Sequence, residues 1–330
     1  MKHNIVIIPS LNPGNSLLKL VEELKKEGLK DIIIVDDGSE KKETFKKLKG
    51  VILLTHEVNK GKGAAIKTAV KNADKYFKDI NGVITCDCDG QHTVKDVKRI
   101  SDVLEDNIVL GVRNFKEKNV PFRSKFGNKF SSIYFKIVTG RTLNDTQTGL
   151  RGIPYKYKKF ILDVEGDRFD YEMNFLLEAA KKKIGFDTIP IETVYINKNK
   201  GSNFSAIKDS YLIYKDFFKY VISAGLSFIL DFGLFNLFGI WFKVFTSTII
   251  ARILSSIFNF TLNKNYVFEN KSKHTFYKYV CLCIFTMFMS ATFVTLFTKT
   301  GLNKNICKII VDTVLFIFNY FVQKMYIFKK

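Results

Sequence analysis

Two carboxylates stand one residue apart at Asp87-Cys88-Asp89, preceded by the apolar run Val83-Ile84-Thr85 and followed by Gly90-Gln91-His92. A strand that ends at this point delivers both carboxylates to one place. Hard oxygen donors of this kind suit Mg2+ or Mn2+, which complete their shells with phosphate oxygens and water. A cation held there is matched to a diphosphate leaving group, whose developing charge it neutralises. Acidic pairs are common in surface loops, and the placement directly after a buried strand is what sets this one apart. A second acidic pair, Val35-Asp36-Asp37-Gly38-Ser39, also closes an apolar run. Its carboxylates could accept hydrogen bonds from a nucleobase or a ribose, the plainer reading being an Asp-Gly turn. Asn59-Lys60-Gly61-Lys62-Gly63 opens a helical pattern. Glycines there permit close backbone approach, and a helix N-terminus offers N–H groups to phosphate, although the spacing is not that of a Walker loop.

The elements that must position these groups follow from periodicity. Short β-rich runs over 5–8, 32–35, 51–54, 82–85 and 108–112 alternate with helical patterns over 16–26, 64–77 and 94–104. Such alternation predicts βαβ units and a mostly parallel sheet. Ligands of these sheets collect at the carboxyl ends of the strands, where Asp36 and Asp37, Asp87 and Asp89, and Arg113 all fall.

The bulk numbers then divide the chain. A hydrophobic share of 46% is combined with a formal charge of +20 and with 32 Phe, most of them in the second half. A basic surface attracts polyanions, and Lys interleaved with Phe fits lipid better than nucleic acid, so no nucleic-acid partner is expected. The five cysteines lack the spacing of a disulfide framework or a zinc site and are expected to be inert thiols in a reducing compartment. The start, Met1-Lys2-His3-Asn4, lacks the long apolar core of a signal peptide, so the first half is expected in the cytoplasm. Residues 206–219 predict an interfacial amphipathic helix, with Tyr211, Leu212, Tyr214, Phe217 and Phe218 among Lys208, Lys215 and Lys219. Four apolar segments follow, over 221–242, 245–262, 279–297 and 306–326, each near the roughly 20 residues a bilayer core requires. Lys264, Lys271, Lys273 and Lys278 load the middle connection and Lys324, Lys329 and Lys330 the tail, which places both on the cytoplasmic side. Asp231, Arg252 and Asp312 are ionisable groups at membrane depth. A structural Asp–Arg pair is expected, the alternative being a polar path for a lipid headgroup.

Taken in order, Ile8-Pro9, Asn12-Pro13, Val35-Asp36-Asp37-Gly38-Ser39, Asn59-Lys60-Gly61-Lys62-Gly63 and Asp87-Cys88-Asp89-Gly90-Gln91-His92 resemble the polyprenyl-phosphate sugar transferases of glycosyltransferase family 2, relatives of the dolichyl-phosphate mannose synthases. The likeness continues through Gly111-Val112-Arg113, Pro121-Phe122-Arg123-Ser124, Asp145-Thr146-Gln147-Thr148-Gly149-Leu150-Arg151-Gly152 and Arg168-Phe169-Asp170-Tyr171-Glu172. The rest resembles the GtrA-like membrane family, on Phe218-Lys219-Tyr220-Val221, Ser256-Ile257-Phe258-Asn259-Phe260 with Asn263-Lys264, and Phe318-Asn319-Tyr320. The resemblance implies an α/β GT-A-like, Rossmann-type catalytic domain over 1–205, the interfacial helix over 206–219 and an all-α domain of four transmembrane helices over 220–330. It implies Asp87, Asp89 and Gln91 at the Mg2+ or Mn2+ and diphosphate. It further implies Pro9, Asp36, Asp37, Lys62 and Asp87 on the nucleotide-sugar side, with Asp37 at the base. Arg113 and Arg123 are implied at the lipid phosphate, which suits their fork geometry, and Asp145, Gln147 and Arg151 around the sugar or acceptor. One departure is Leu11, where many relatives carry Tyr near the nucleobase, and it leaves the base open.

The expected reaction is transfer of a hexose from a UDP- or GDP-sugar to undecaprenyl phosphate or a similar lipid at the cytoplasmic membrane. The lipid phosphate attacks the anomeric carbon in line and inverts it. That phosphate is already anionic, so positioning and charge stabilisation carry the catalysis. A homo-oligomer is compatible with this reading. A processive polysaccharide synthase is disfavoured, because its Gln-x-x-Arg-Trp motif is absent and the single tryptophan, Trp241, lies in the first membrane segment. A nucleotidyltransferase does not account for the membrane half. The alternative from another class is a membrane half that acts as a flippase for the lipid-linked sugar.

Overall fold

The structure, a computed structural model, describes residues 3–115, 117, 120–192, 206–272 and 274–328, apart from the side chains of 123, 206–214, 244, 245, 248, 291, 304, 305 and 308. The chain divides into two units, Met1–Ile213 and Tyr214–Lys330.

In the first unit, β1 (His3–Ser10), β2 (Ile32–Asp37), β3 (Ile52–His56), β4 (Ile80–Thr85), β5 (Ile108–Arg113), β6 (Arg151–Pro154) and β7 (Phe186–Ile191) form one sheet in the order β3-β2-β1-β4-β6-β5-β7. Around it lie α1 (Asn15–Lys26), α2 (Glu43–Lys46), α3 (Lys62–Tyr76), α4 (Val94–Val103), α5 (Phe122–Thr139), α6 (Lys158–Asp163) and α7 (Asp170–Lys181). The apolar runs of β1 and β2 are buried on both faces, which is why they read as continuous rather than alternating. Ile5, Ile7, Ile33 and Val35 pack with Ala65, Ala69 and Val70 of α3 and Phe175 of α7. Val6, Ile8, Ile32 and Ile34 pack on the opposite face with Leu17, Leu20 and Val21 of α1 and Val97 and Ile100 of α4. Period two along the strands thus fills two cores at once. Thr93 caps α4, its hydroxyl accepting from the Asp96 N–H at 3.2 Å.

The sheet is mixed. β1 pairs in parallel with β2 and β4, as does β5 with β7, whereas β6 runs antiparallel between β4 and β5. The sequence pattern predicts β1 to β5, and β6 and β7 are additions. The reversed β6 has a consequence for the site. Its first residue, Arg151, lies opposite Thr85, the last residue of β4. The segment entering β6 therefore reaches the same edge as the segments leaving β1, β2 and β4. Thr85 Oγ1 donates to the Gly149 carbonyl at 2.8 Å and pins that segment in place.

The second unit is helical. α8 (Ala206–Phe238) begins in the first unit and continues into α9 (Val244–Leu262), α10 (Phe276–Thr298) and α11 (Lys304–Val322). The expected division between an interfacial helix over 206–219 and a spanning helix leaves no break in the backbone, since one helix of 33 residues covers both. The side chains of Lys208, Tyr211, Leu212 and Tyr214, on which the amphipathic reading rests, and residue Lys273 lie outside the described residues. Against four expected spans, three stretches among the described residues are long and apolar enough to cross a bilayer: Lys215–Phe238, Phe276–Thr298 and Ile309–Ile327.

These helices turn apolar groups outward, Phe228, Ile229, Met287 and Phe288 all being exposed, and keep polar groups inside. Ser223 donates to Asn263 Oδ1 at 2.7 Å, and Asn263 donates to Asn259 and to Gln323 at 2.9 Å each. Tyr279 donates to Asn259 at 2.8 Å. An apolar exterior with a hydrogen-bonded interior is what a lipid solvent demands. At the expected ion pair, Arg252 lies 3.5 Å from Asp231, which also accepts from Ser255 at 2.8 Å, while Asp312 accepts from Ser290 at 2.7 Å. α9 and α11 end alike, each passing into a π-helical turn, Asn263–Val267 and Gln323–Ile327. Phe258-Asn259-Phe260 with Tyr266-Val267-Phe268 recurs as Phe318-Asn319-Tyr320 with Tyr326-Ile327-Phe328, so the two helical hairpins repeat one design.

Candidate active site

A cleft of about 200 Å³ opens at the edge of the sheet just described, lined by Pro9, Ser10, Leu11, Asp37, Asn59, Gly61, Lys62, Asp87, Cys88, Asp89, Arg168 and Phe169. The β1–β2 side is built by turns. Asp36 is buried and its carboxylate accepts the Ser39 N–H at 2.8 Å, while the Ser39 hydroxyl accepts the Asn12 N–H at 2.8 Å. Asp36 therefore shapes the loop from beneath. Asp37 reaches the cleft. Its oxygens accept the N–H groups of Lys60 at 2.9 Å and Gly61 at 2.8 Å and face His56 Nδ1 at 2.7 Å. A carboxylate has about four acceptor positions, so roughly one is left for a ligand.

The glycines of the 59–63 segment also give room to a neighbour within the chain. Gly61 has φ +107, and a Cβ there would stand 2.4 Å from the Asp167 carbonyl. The Ala64 N–H donates to that same carbonyl at 2.9 Å. The close approach is thus made by the 167–171 segment. The result is to place Lys62 at the start of α3, facing the cleft.

Lys62 Nζ lies 2.6 Å from Asp87 Oδ1 and 2.7 Å from Glu172 Oε1. Burial alone pulls its ammonium down, but the two carboxylates hold it well above the usual lysine range. Asp87 shows the reciprocal effect: burial pushes its carboxyl up, yet Lys62 and then His92 hold it down, to about 2. At Asp89 the balance is reversed: burial first, then the charge of Asp87, pushes its carboxyl up and outweighs the Gln91 N–H, His92 and Lys62, which pull it down. A buried carboxylate pair with one member short of compensation is the electrostatic setting a cation relieves. The Gln91 N–H donates to Asp89 Oδ1 at 3.0 Å and fixes that carboxylate. His92 accepts the Asp87 N–H at 3.3 Å, and burial pushes its imidazole down. Cys88 is pushed up to about 11 by burial and the flanking aspartates, and Cys86 also rises, so both stay thiols.

Among the described residues, no three His, Cys, Asp or Glu side chains converge as a metal cage. The two carboxylates still fit a Mg2+-type ion, which typically takes one or two protein carboxylates together with substrate phosphates and water.

The 145–151 segment closes the far side. Arg113 Nε and Nη2 donate to the two oxygens of Asp145 at 2.7 and 2.9 Å, and Asp145 also accepts the N–H groups of Arg113 at 3.2 Å and Gln147 at 3.1 Å. Asp145 is wholly buried, so its part is to orient Arg113 and the turn. Arg151 is also buried. It donates to the carbonyls of Thr148 at 2.9 Å and Glu172 at 3.0 Å, and its Nη2 has no partner among the described residues. It ties α7, and so Glu172, to the segment before β6. The Gln147 amide lies against Gly127 of α5. Arg123 falls in the first turn of α5, with its side chain outside the described residues.

Of the residues singled out in sequence, the structure thus brings Pro9, Asp37, Lys62, Asp87 and Asp89 to the cleft. It sets Asp36, Gln91, Arg113, Asp145, Gln147 and Arg151 behind or beside it. Ser10, Leu11, Asn59, Cys88, Arg168 and Phe169 line it without a role drawn from their spacing, and Glu172 stands directly behind Lys62. The stretch 168–172 is the one signal that could have pointed to Glu172.

Gly149 sharpens the geometry. A Cβ there would lie 2.3 Å from Asp87 Oδ2 and 2.8 Å from Lys62 Nζ. Gly149→Ala should displace the Asp87–Lys62 pair and lower kcat/KM for the sugar donor about 100-fold, as misplacements near 1 Å do. Steady-state kinetics on the solubilised variant, with its melting temperature as control, measure this.

Comparison with known proteins agrees with the layout. The profile of glycosyl transferase family 2 matches residues 5–158, and that of the GtrA/DPMS transmembrane domain matches residues 219–328. An uncharacterized protein of Methanocaldococcus jannaschii is 34% identical over 208 residues, 60% of this chain and 85% of that one. The UDP-N-acetylglucosamine–dolichyl-phosphate N-acetylglucosaminyltransferase of Methanococcus voltae is 32% identical over 216 residues, 58% of this chain and 85% of that one. Among solved structures, glucosyl-3-phosphoglycerate synthase from Mycobacterium tuberculosis, in complex with Mn2+, UDP and phosphoglyceric acid, aligns with a TM-score of 0.45 at 12% identity, over 60% of this chain and 73% of that one. With relatives matched over most of their length and the family profile laid across the cleft-bearing sheet, the chain belongs to glycosyl transferase family 2, with a GtrA/DPMS transmembrane domain behind the transferase.

Proposed function

We propose that this transferase moves a hexose from a UDP- or GDP-sugar to a polyprenyl phosphate at the cytoplasmic face of a membrane, with inversion at the anomeric carbon. The observation that carries the reading is the Asp87–Asp89 pair beside Lys62 in a cleft, on a chain whose following helices are long and apolar enough to cross a bilayer. The relative from Methanococcus voltae is named for dolichyl phosphate as acceptor, which supports a lipid phosphate here. The sheet arrangement fits a GT-A-like donor site over 1–205, with four helices spanning the membrane over 220–330.

In this reading Asp87 and Asp89, with Gln91 fixing Asp89, hold Mg2+ or Mn2+. The ion supplies charge neutralisation at the departing diphosphate. Asp37 accepts from the base with its remaining acceptor position, and Pro9 and Leu11 form the wall beside it. Lys62 meets phosphate. Arg113, oriented by Asp145, and Arg123 hold the acceptor's phosphate, whose oxygen needs no base to attack. Arg151 and Gln147 position the segment that shapes the sugar pocket.

A donor screen tests the proposal. Membranes containing the chain receive undecaprenyl or dolichyl phosphate and radiolabelled UDP-glucose, UDP-galactose, UDP-N-acetylglucosamine or GDP-mannose. One donor should give a lipid-extractable, acid-labile product. Label appearing only in water-soluble material with every donor would overturn the lipid-phosphate acceptor.

A further inference from the structure

The Lys62 ammonium occupies the position at Asp87 that a divalent cation needs. Its Nζ is 2.6 Å from Asp87 Oδ1, while Asp87 Oδ2 lies against the Gly149 backbone, where even a methyl group would collide. A divalent ion shared by Asp87 and Asp89 therefore meets a positive charge already seated on the first of them, and like charges at that range repel. The site also provides somewhere for the ammonium to go. Glu172, in the first turn of α7, holds it from the other side at 2.7 Å, and the cleft where a diphosphate would lie is lined by Lys62 itself. The backbone of Lys62 is fixed, because the preceding Gly61 N–H is bound to Asp37. Its four-carbon side chain has the rotatable bonds to turn about that anchor once a competing anion draws the ammonium.

Resting on the cation reading above, we infer that Lys62 stands in for the divalent cation at Asp87 until a nucleotide diphosphate draws it away, so that cation and donor enter the site together. Glu172 is then a positioning residue that keeps the ammonium in the site as it leaves Asp87. The donor-free enzyme takes up cation poorly and is balanced by its own lysine. The diphosphate both recruits the ion and removes its competitor.

The test is direct Mn2+ binding to the full chain in detergent, read by electron paramagnetic resonance of free Mn2+, with Mn2+ alone and with UDP or GDP added. The wild type should bind Mn2+ alone weakly and in the presence of one of the nucleotides at least about 10-fold more tightly. Lys62→Met should bind Mn2+ alone about 10-fold or more tightly than the wild type, within the range by which groups around a metal site tune affinity. Lys62→Gln keeps a polar side chain without the charge and should do the same, guarding against a misfolded Met variant. A lysine with a merely structural part would lose affinity on replacement, so the expected gain separates the two. If the wild type binds Mn2+ with nucleotide while both variants match it with Mn2+ alone, the stand-in role is wrong and the cation site remains. If no Mn2+ is held under any condition, both fall together.

Discussion

Asp89→Ala is expected to lower sugar transfer to lipid phosphate by at least about 10²–10³-fold, the range seen when one group that stabilises transition-state charge is removed. The carboxylate is partly buried, held by the Gln91 N–H and set beside the charge of Asp87, which pushes its carboxyl up. Removing it leaves Asp87 alone, and Asp87 is already engaged by Lys62. Asp89→Asn should fall nearly as far, because shape is kept and charge is lost. The melting temperature of the catalytic unit should change little, since relieving like-charge crowding costs the fold nothing. Radiometric transfer in membranes, with expression and melting as controls, measures the effect. Turnover within a few-fold of the wild type would remove Asp89 from the cation site.

The second large effect is on stability. Asp145→Ala removes the wholly buried carboxylate that accepts from the Arg113 guanidinium and from two backbone N–H groups. Breaking a buried pair from one side costs about 3–5 kcal/mol. At roughly 2–4 °C per kcal/mol for a unit of this size, the first transition should drop by about 10 °C. Activity should fall with it, because Arg113 is no longer oriented. Asp145→Asn retains an acceptor and should lose less. If Asp145 acted only by touching sugar, activity would fall while melting stayed in place, and scanning calorimetry in detergent separates the two.

The contrast between these residues shows what sequence conveyed. Strands β1, β2, β4 and β5 were legible because burial on both faces writes an apolar run, and β3, at the sheet edge and half exposed, was legible as the short β-rich run over 51–54. β6 was not, because Arg151-Gly152-Ile153-Pro154 is four residues long and its strand character comes from its neighbours β4 and β5. Overlooking β6 also hid why 145–151 belongs at the site, since only the reversed strand brings its entry to the sheet edge.

The acidic pairs illustrate a second limit. Asp36 and Asp37 are adjacent and chemically identical, yet one braces a turn and the other reaches the cleft. Strand alternation separates them, and a motif does not record which one faces in. The glycines of 59–63 were read as room for a phosphate, and the sequence did not disclose that the 167–171 segment, distant in sequence, also approaches Gly61. Glu172 was visible as part of a motif and silent as to its partner, because its pairing with Lys62 exists only once α3 and α7 pack on one face of the sheet. In the helical unit, the repeat of Asn259 and Asn319 ahead of two π-helical turns was open to inspection in the sequence and became evident through the shared backbone shape.

The most direct test of the account is nucleoside diphosphate release by the purified full chain in lipid nanodiscs, given its sugar donor and Mg2+ or Mn2+, with and without polyprenyl phosphate. The account predicts release that depends on the lipid phosphate, equals the lipid-linked sugar formed mole for mole, and stops when the cation is chelated. Release at the same rate without the lipid, or with the sugar recovered free in water, would contradict it.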